Sequence, residues 1–405
     1  MMTISELEKD HNPEITAIIL ICRVFLKTAR EEELSAFFEQ HKIDWPLFYK
    51  MVCAHHIRPI VNNVISGLKI SNETTDKLLT DCRQITMRNF EYYRELLQLN
   101  TLFVKENITT VPYKGCIFSI QFYNDISLRE FSDIDFLIKP DVSNIEAITK
   151  LLTAQGYSIG DEIPEEFKKF HFDHVREFKF FLYSGGKRKF LAEFHSSLSD
   201  PVFDTSMIIS NEYLFADLNE IDLNNNKIKT LSPTKHLITL FTHHGIREQW
   251  TSLKNIMDIA QGIKNDAVKW NIIMECSHTY RFNKVLKIGL NIVNDLLGLE
   301  PNVPYDKPKT ITPWLKKLFS RHLYKPTNTW RNNLLLKIKS KDSFGDSMKM
   351  VFNHVRYIAM PSVLDYKFLK LPVAFNFLYI FIKPIRMLKM NFNKNSQQKN
   401  GLKKS

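Results

Sequence analysis

The chain has 405 residues, of which 44% are hydrophobic and 24% charged, enough to bury a sizeable core in two or three compact units. Its net charge of +11 is unevenly spread: residues 301–405 hold 21 Lys and Arg against 4 Asp, so this end carries +17 and the first 300 residues −6. Five scattered cysteines with no Cys-x-x-Cys pair argue against a disulfide scaffold, and the polar, acidic start from Met1 to Pro13 argues against a signal peptide, so a cytoplasmic protein with reduced thiols is expected.

Taken in chain order, residues 1–107 read as a helical unit. Apolar residues recur at three- and four-residue spacing over Ile15 to Lys27, Glu31 to His41 and Glu73 to Val104, and Ser71 or Asn72 is placed to cap the last of these. The His55-His56 pair has no second pair near it to complete a metal site. Ile108 to Tyr113 then reads as a short strand running into Lys114-Gly115 and an amphipathic helix from Cys116 to Tyr123. Strand, glycine turn and helix start form a phosphate cradle, because the first amides of a helix are unpaired and attract anions.

The strand-like run Phe131-Ser132-Asp133-Ile134-Asp135-Phe136-Leu137-Ile138 carries two carboxylates one residue apart. Successive strand side chains alternate, so Asp133 and Asp135 share one face while Ile134, Phe136 and Ile138 share the other. A third carboxylate follows in a predicted hairpin, with arms Glu177 to Tyr183 and Phe190 to His195 joined by Ser184-Gly185-Gly186-Lys187. On its second arm Leu191, Glu193 and His195 point one way and Phe190, Ala192 and Phe194 the other. A strand carrying Glu193 beside one carrying Asp133 and Asp135 would make a three-carboxylate site for a hard cation, Mg2+ or Mn2+. His171, Asp173 and His174, between the two strands, are either a second contact or a polar connection.

Ser232-Pro233 marks a helix start, and residues 232–298 read as helical, with His236, His243 and His244 at helical intervals. A zinc hydrolase would recruit such histidines with Asp258, but the His-Glu-x-x-His pattern is absent, and a helical lid whose histidines face the carboxylate site fits better. Beyond it, Leu371 to Ile382 is an apolar run of 12 residues, short of the ~20 needed to span a bilayer. The end, from about residue 391, is rich in Asn, Gln and Lys and reads as disordered.

Lys114-Gly115, Arg129, Ser132-Asp133-Ile134-Asp135 and Glu193-Phe194-His195 resemble the nucleotidyltransferases of the DNA polymerase beta superfamily. Within it they resemble an uncharacterised family with a Lys-Gly turn in place of the usual Gly-Ser. A looser similarity continues through Leu231 to Leu237 and His243-His244 to Ala260. The resemblance implies an α+β fold: a small mixed sheet over residues 108–230, a helical segment at 231–300 after it, and helical units on either side, 1–107 and 301–405. It implies metal held by Asp133, Asp135 and Glu193, with Lys114, the Gly115 amide, Arg129 and His195 around a nucleoside triphosphate. The implied reaction moves a nucleoside monophosphate onto an unidentified hydroxyl acceptor. Arg129 would reach a triphosphate oxygen or pair with Asp133, and His195 would orient Glu193 or touch substrate.

Two other functions share these residues: a catalytically silent nucleotide-binding or interaction protein, and a toxin-like enzyme that modifies tRNA or protein. For the basic C-terminal region three roles are open. It packs on the core with a solvated basic face, lies on an anionic membrane surface, or contacts RNA.

Overall fold

The computed structural model of the protein describes residues 1–68, 70–139, 141–160, 177–198, 209–320, 330–359 and 362–386. His171, Asp173, His174 and the tail from about 391 lie outside them. The architecture is α+β, a small mixed sheet among helices, as the sequence predicts.

The helix Pro13–Leu26 is apolar on every side, with Ile15, Ile18, Ile19, Leu20, Ile21 and Leu26 all buried. Such a helix must lie inside, and it packs between Trp45–Ala54, Arg58–Gly67 and Asn283–Leu297. Asn12 starts it by accepting the Ile15 amide, with Pro13 at the first helical position. The helix Glu73–Lys105 is capped by Asn72, whose side chain accepts the Thr74 and Thr75 amides. Its inner stripe divides between two cores. Leu78 and Cys82 join the large helical core, while Tyr92, Leu96, Leu99 and Phe103 cover the sheet.

The main sheet comprises β1 (Thr110–Tyr113), β2 (Ile134–Ile138), β3 (Ser158–Ile159), β4 (Glu177–Ser184) and β5 (Lys187–His195), ordered β1-β2-β5-β4-β3. Only β2 and β5 run parallel; the other neighbours are antiparallel. The expected hairpin is β4–β5, turned by Gly185 and Gly186 at φ 57° and 73°. Phe136, Phe180, Phe190, Ala192 and Phe194 fill the covered face, where Phe136 stacks on Phe194 and Phe103 meets both rings edge-on. The other face carries Asp135, Glu193 and His195.

A second hairpin, β6 (Asn219–Leu223) with β7 (Asn226–Thr230), turns on Asn224-Asn225, both left-handed. The apolar pattern did not predict it, because its strands are mostly polar and exposed. The helices Pro233–Thr242, Leu253–Lys264, Trp270–Thr279 and Asn283–Leu297 follow. Ser232 caps the first of them as expected, its hydroxyl accepting the Lys235 amide. Among the described residues no helix is long and apolar enough to cross a membrane.

Candidate active site

The parallel register of β2 and β5 sets Asp135 directly opposite Glu193, and the antiparallel register of β1 sets Tyr113 on the other side of Asp135. The carboxylates of Asp135 and Glu193 and the His195 ring are buried, and one ligand atom from each lies within 4.8 Å of the others. Asp133 sits one residue before β2, half-buried, outside that tight set but within its electrostatic field.

The chain's own side chains partner these acids. His195 Nε2 is 2.8 Å from Asp135 Oδ1, Lys114 Nζ is 3.5 Å from the same oxygen, and Lys179 Nζ donates to Glu193 Oε1 at 2.8 Å. Glu177 lies 3.9 Å from His195 Nδ1 and accepts from Arg247 at 2.9 Å. Burial opposes ionisation of Asp135, but Lys114 and His195 override it and hold that carboxyl well below the ordinary carboxylate range. Among the described residues Asp133 shows no comparable ion pair, only the more distant pull of Lys254 and Lys114. Burial, then repulsion from Asp135 and Glu193, raises it to about 7.

The Lys-Gly turn is a backbone device as much as a charge. Lys114 stands at φ 53°, ψ −153° and Gly115 at φ 36°, two successive residues in a region that L side chains rarely adopt. A Cβ on Gly115 would meet the Asp133 carbonyl at 3.3 Å, so the turn and the acidic strand pack backbone to backbone. The Lys114 amide donates to His236 Nε2 at 2.7 Å, and His236 Nδ1 faces Gln121 Oε1 at 2.7 Å. His236 is therefore neutral, its proton on Nδ1; burial, then Arg129 and Lys114, depress it to about 3. The lid histidine expected to face the site instead grips the turn. The chain from Gly115 continues through one α-turn into a π-helical turn, Ser119–Tyr123, and a second π-turn, His243–Arg247, flanks the site on the helical side. Such turns recur at functional sites.

Arg129 takes neither partner weighed from the sequence. Its guanidinium is buried and forks onto Asp258, Nε to Oδ1 at 2.9 Å and Nη2 to Oδ2 at 2.8 Å. Tyr123 donates to Asp258 at 2.9 Å, and His244 Nε2 lies 3.1 Å from it. Burial disfavours the Asp258 anion, yet Arg129 and His244 hold its pKa well below the ordinary range. Arg129 and Asp258 thus tie the loop before β2 to the helix Leu253–Lys264. His55 acts structurally too: its carbonyl accepts the Ser252 hydroxyl and its Nδ1 the Leu253 amide, at the start of that helix.

A polar cavity of about 410 Å³ is lined by Arg247, Glu248, Lys254, Lys317, Asn333 and Lys337 among others, and Arg247 on its wall donates to Glu177. Lys254 is depressed by burial and by Arg129, and its charge in turn favours ionised Asp133. Gln249 on its wall holds φ 55° and its neighbour Trp250 φ 56°, and Gln249 accepts from Lys317 and donates to the Asn333 carbonyl. No short motif announced this wall, because its residues converge from positions 247–255, 317 and 333–337.

The model of a family described as uncharacterised nucleotidyltransferases matches residues 41–298, which include the whole sheet and the helices behind it. No curated protein and no solved structure matches significantly. Because the match takes in well over half of the chain and every candidate site residue on the sheet, the protein belongs to this nucleotidyltransferase family.

Proposed function

We propose that the protein transfers a nucleoside monophosphate from a nucleoside triphosphate to a hydroxyl acceptor, with a divalent metal ion. The observation that supports this most is the facing pair Asp135 and Glu193 with Lys114 at its edge. The donor set fits a hard cation: two buried carboxylates on one sheet face and a half-buried one just before β2, all oxygen donors. Asp133, Asp135 and Glu193 would hold the ion, and His195 is close enough to be a further ligand or to orient them. When bound, Mg2+ or Mn2+ neutralises phosphate charge and lowers the pKa of an attacking hydroxyl.

The protein's part is positioning and electrostatics. Lys114 and the Gly115 amide hold the triphosphate, and His236 fixes the strained turn that aims them. His195 and Lys179 hold Asp135 and Glu193 in place. The acceptor oxygen bonds to the α-phosphorus as the bond to the bridging oxygen breaks and pyrophosphate leaves. The hydroxyl proton passes to Glu193, the carboxylate assigned to the acceptor side. Arg247, which donates to Glu177, and Lys254, which acts on Asp133, line a cavity suited to an anionic part of either substrate. Arg129, held on Asp258, acts as a positioning residue.

One observation favours a silent nucleotide-binding protein. Asp135 and Glu193 already have Lys114, His195 and Lys179 as partners, so the fold does not depend on metal to keep them apart. A thermal-shift screen against the four ribonucleoside triphosphates, with and without Mg2+, separates the readings. A Mg2+-dependent shift is expected for the wild type and lost in folded Asp133→Ala/Asp135→Ala. Metal-dependent binding retained by that variant would overturn the site, and binding without labelled product in the presence of cellular RNA or protein would favour the silent protein. A labelled tRNA or protein would instead identify a toxin-like enzyme.

A further inference from the structure

Thirteen of the nineteen large hydrophobic side chains exposed among the described residues lie between Leu335 and Ile385. They are not scattered. On the helix Phe344–Ala359, Phe344 (81% exposed), Met348, Phe352 (68%) and Val355 fall within about 80° of the helix circumference at 3.6 residues per turn. Exposed Lys349 and Arg356 border that stripe. A second exposed set follows, including Phe377, Ile380 and Phe381 (68%), with exposed Lys367 and Lys370 nearby. Soluble chains rarely leave such a surface uncovered.

From this we infer that the exposed apolar side chains of Phe344 to Val355 and of Phe375 to Ile385 dock on an anionic lipid bilayer. The chemistry of the face selects that occupant. Apolar side chains bordered by exposed cations match an interface whose outer layer is anionic and whose inner layer is hydrocarbon. A second copy of the chain would match the apolar part but would set like charge against like, in a region carrying +17. Single-stranded RNA would match the charge and the aromatic rings, but Met348, Val355, Ile380 and Ile385 offer it nothing to stack on. The depth is that of a surface contact, because no described helix is long and apolar enough to cross.

The inference does not depend on nucleotidyl transfer, and vesicle co-sedimentation of the full-length protein tests it apart from activity. The wild type should sediment with phosphatidylcholine–phosphatidylserine vesicles, much less with phosphatidylcholine alone, and less as salt rises. Phe352→Glu/Phe381→Glu should weaken binding by about tenfold or more, since each removes a buried ring and adds an anion. Both positions are solvent-exposed, so thermal unfolding and nucleotide-induced stabilisation should stay unchanged. Lys349→Glu/Arg356→Glu should weaken binding to the anionic vesicles and erase its salt dependence. The proposal fails if the wild type ignores anionic vesicles or if Phe352→Glu/Phe381→Glu binds them equally well. It also fails if that variant instead abolishes a concentration-dependent dimer or the binding of a single-stranded RNA oligonucleotide.

Discussion

Lys114 holds a backbone conformation that costs about 1–3 kcal/mol in an L residue, and a single acceptor, His236 Nε2, receives its amide. That role requires a neutral ring. The free imidazole titrates at 6.5, while burial holds His236 at about 3 in the folded protein. Between these values the unfolded chain binds a proton that the folded chain refuses, so His236 destabilises the protein increasingly as pH falls below about 6.5. Above 6.5 both states are neutral and the term vanishes. The slope from this one group is about 1.4 kcal/mol per pH unit. His236→Gln keeps an acceptor but does not titrate. It should be about 1 kcal/mol less stable than the wild type at pH 8, with the gap closing and reversing towards pH 5 in urea titrations. Parallel stability curves for the two proteins would show that the ring is not held neutral.

Between elements, the buried cluster of Arg129, Asp258, Tyr123 and His244 joins the loop before β2, the π-turn Ser119–Tyr123 and the helix Leu253–Lys264. A buried ion pair adds little over an apolar pair, but removing one member strands the other. Arg129→Met or Asp258→Ala should each lose about 3–5 kcal/mol, and the double variant distinctly less than their sum, as read from denaturant midpoints. Additive losses would mean that the two residues act separately.

The contrast with the acidic strand shows what was legible. Asp133, Asp135 and Glu193 stand on alternating strand patterns, and a period of two fixes the face a side chain takes without knowledge of the rest of the fold. The hairpin was legible because Gly185-Gly186 supplies the φ > 0 that its turn requires. Asp258 meets Arg129 across 129 residues, a partnership set by helix packing that no local period encodes. Trp45–Ala54 and Arg58–Gly67 went unpredicted because they are short and start at a Pro-containing first turn, leaving little periodic signal.

At the scale of the whole molecule, the units that the sequence separates at 107 and 230 share an interior. The large core draws on residues 7–82 and 231–336 and on residues between them including Val111, Tyr113, Phe118, Phe122, Leu137 and Leu214, and Pro13–Leu26 is buried within it. Arg23 fixes that helix to the end of Asn283–Leu297, donating to the Leu296 carbonyl at 2.6 Å and the Met2 carbonyl at 2.9 Å. The matched region begins at residue 41 and leaves this helix out. Burying Ile15, Ile18, Ile19, Leu20, Ile21 and Leu26 contributes about 1.5–3 kcal/mol each, an upper bound against an extended chain. Together they rival the ~5–15 kcal/mol by which a whole domain is stable. A chain starting at residue 41 should therefore not fold cooperatively, although it keeps every candidate site residue, and should show broad, low-temperature melting and little amide protection over Asn283–Leu297. Adding a peptide of residues 1–40 should restore protection there, because the missing contacts are side-chain burial and the Arg23 guanidinium that donates to the Leu296 carbonyl. A cooperative transition at wild-type temperature from the shortened chain would show that the sheet and its following helices hold together without the N-terminal helix.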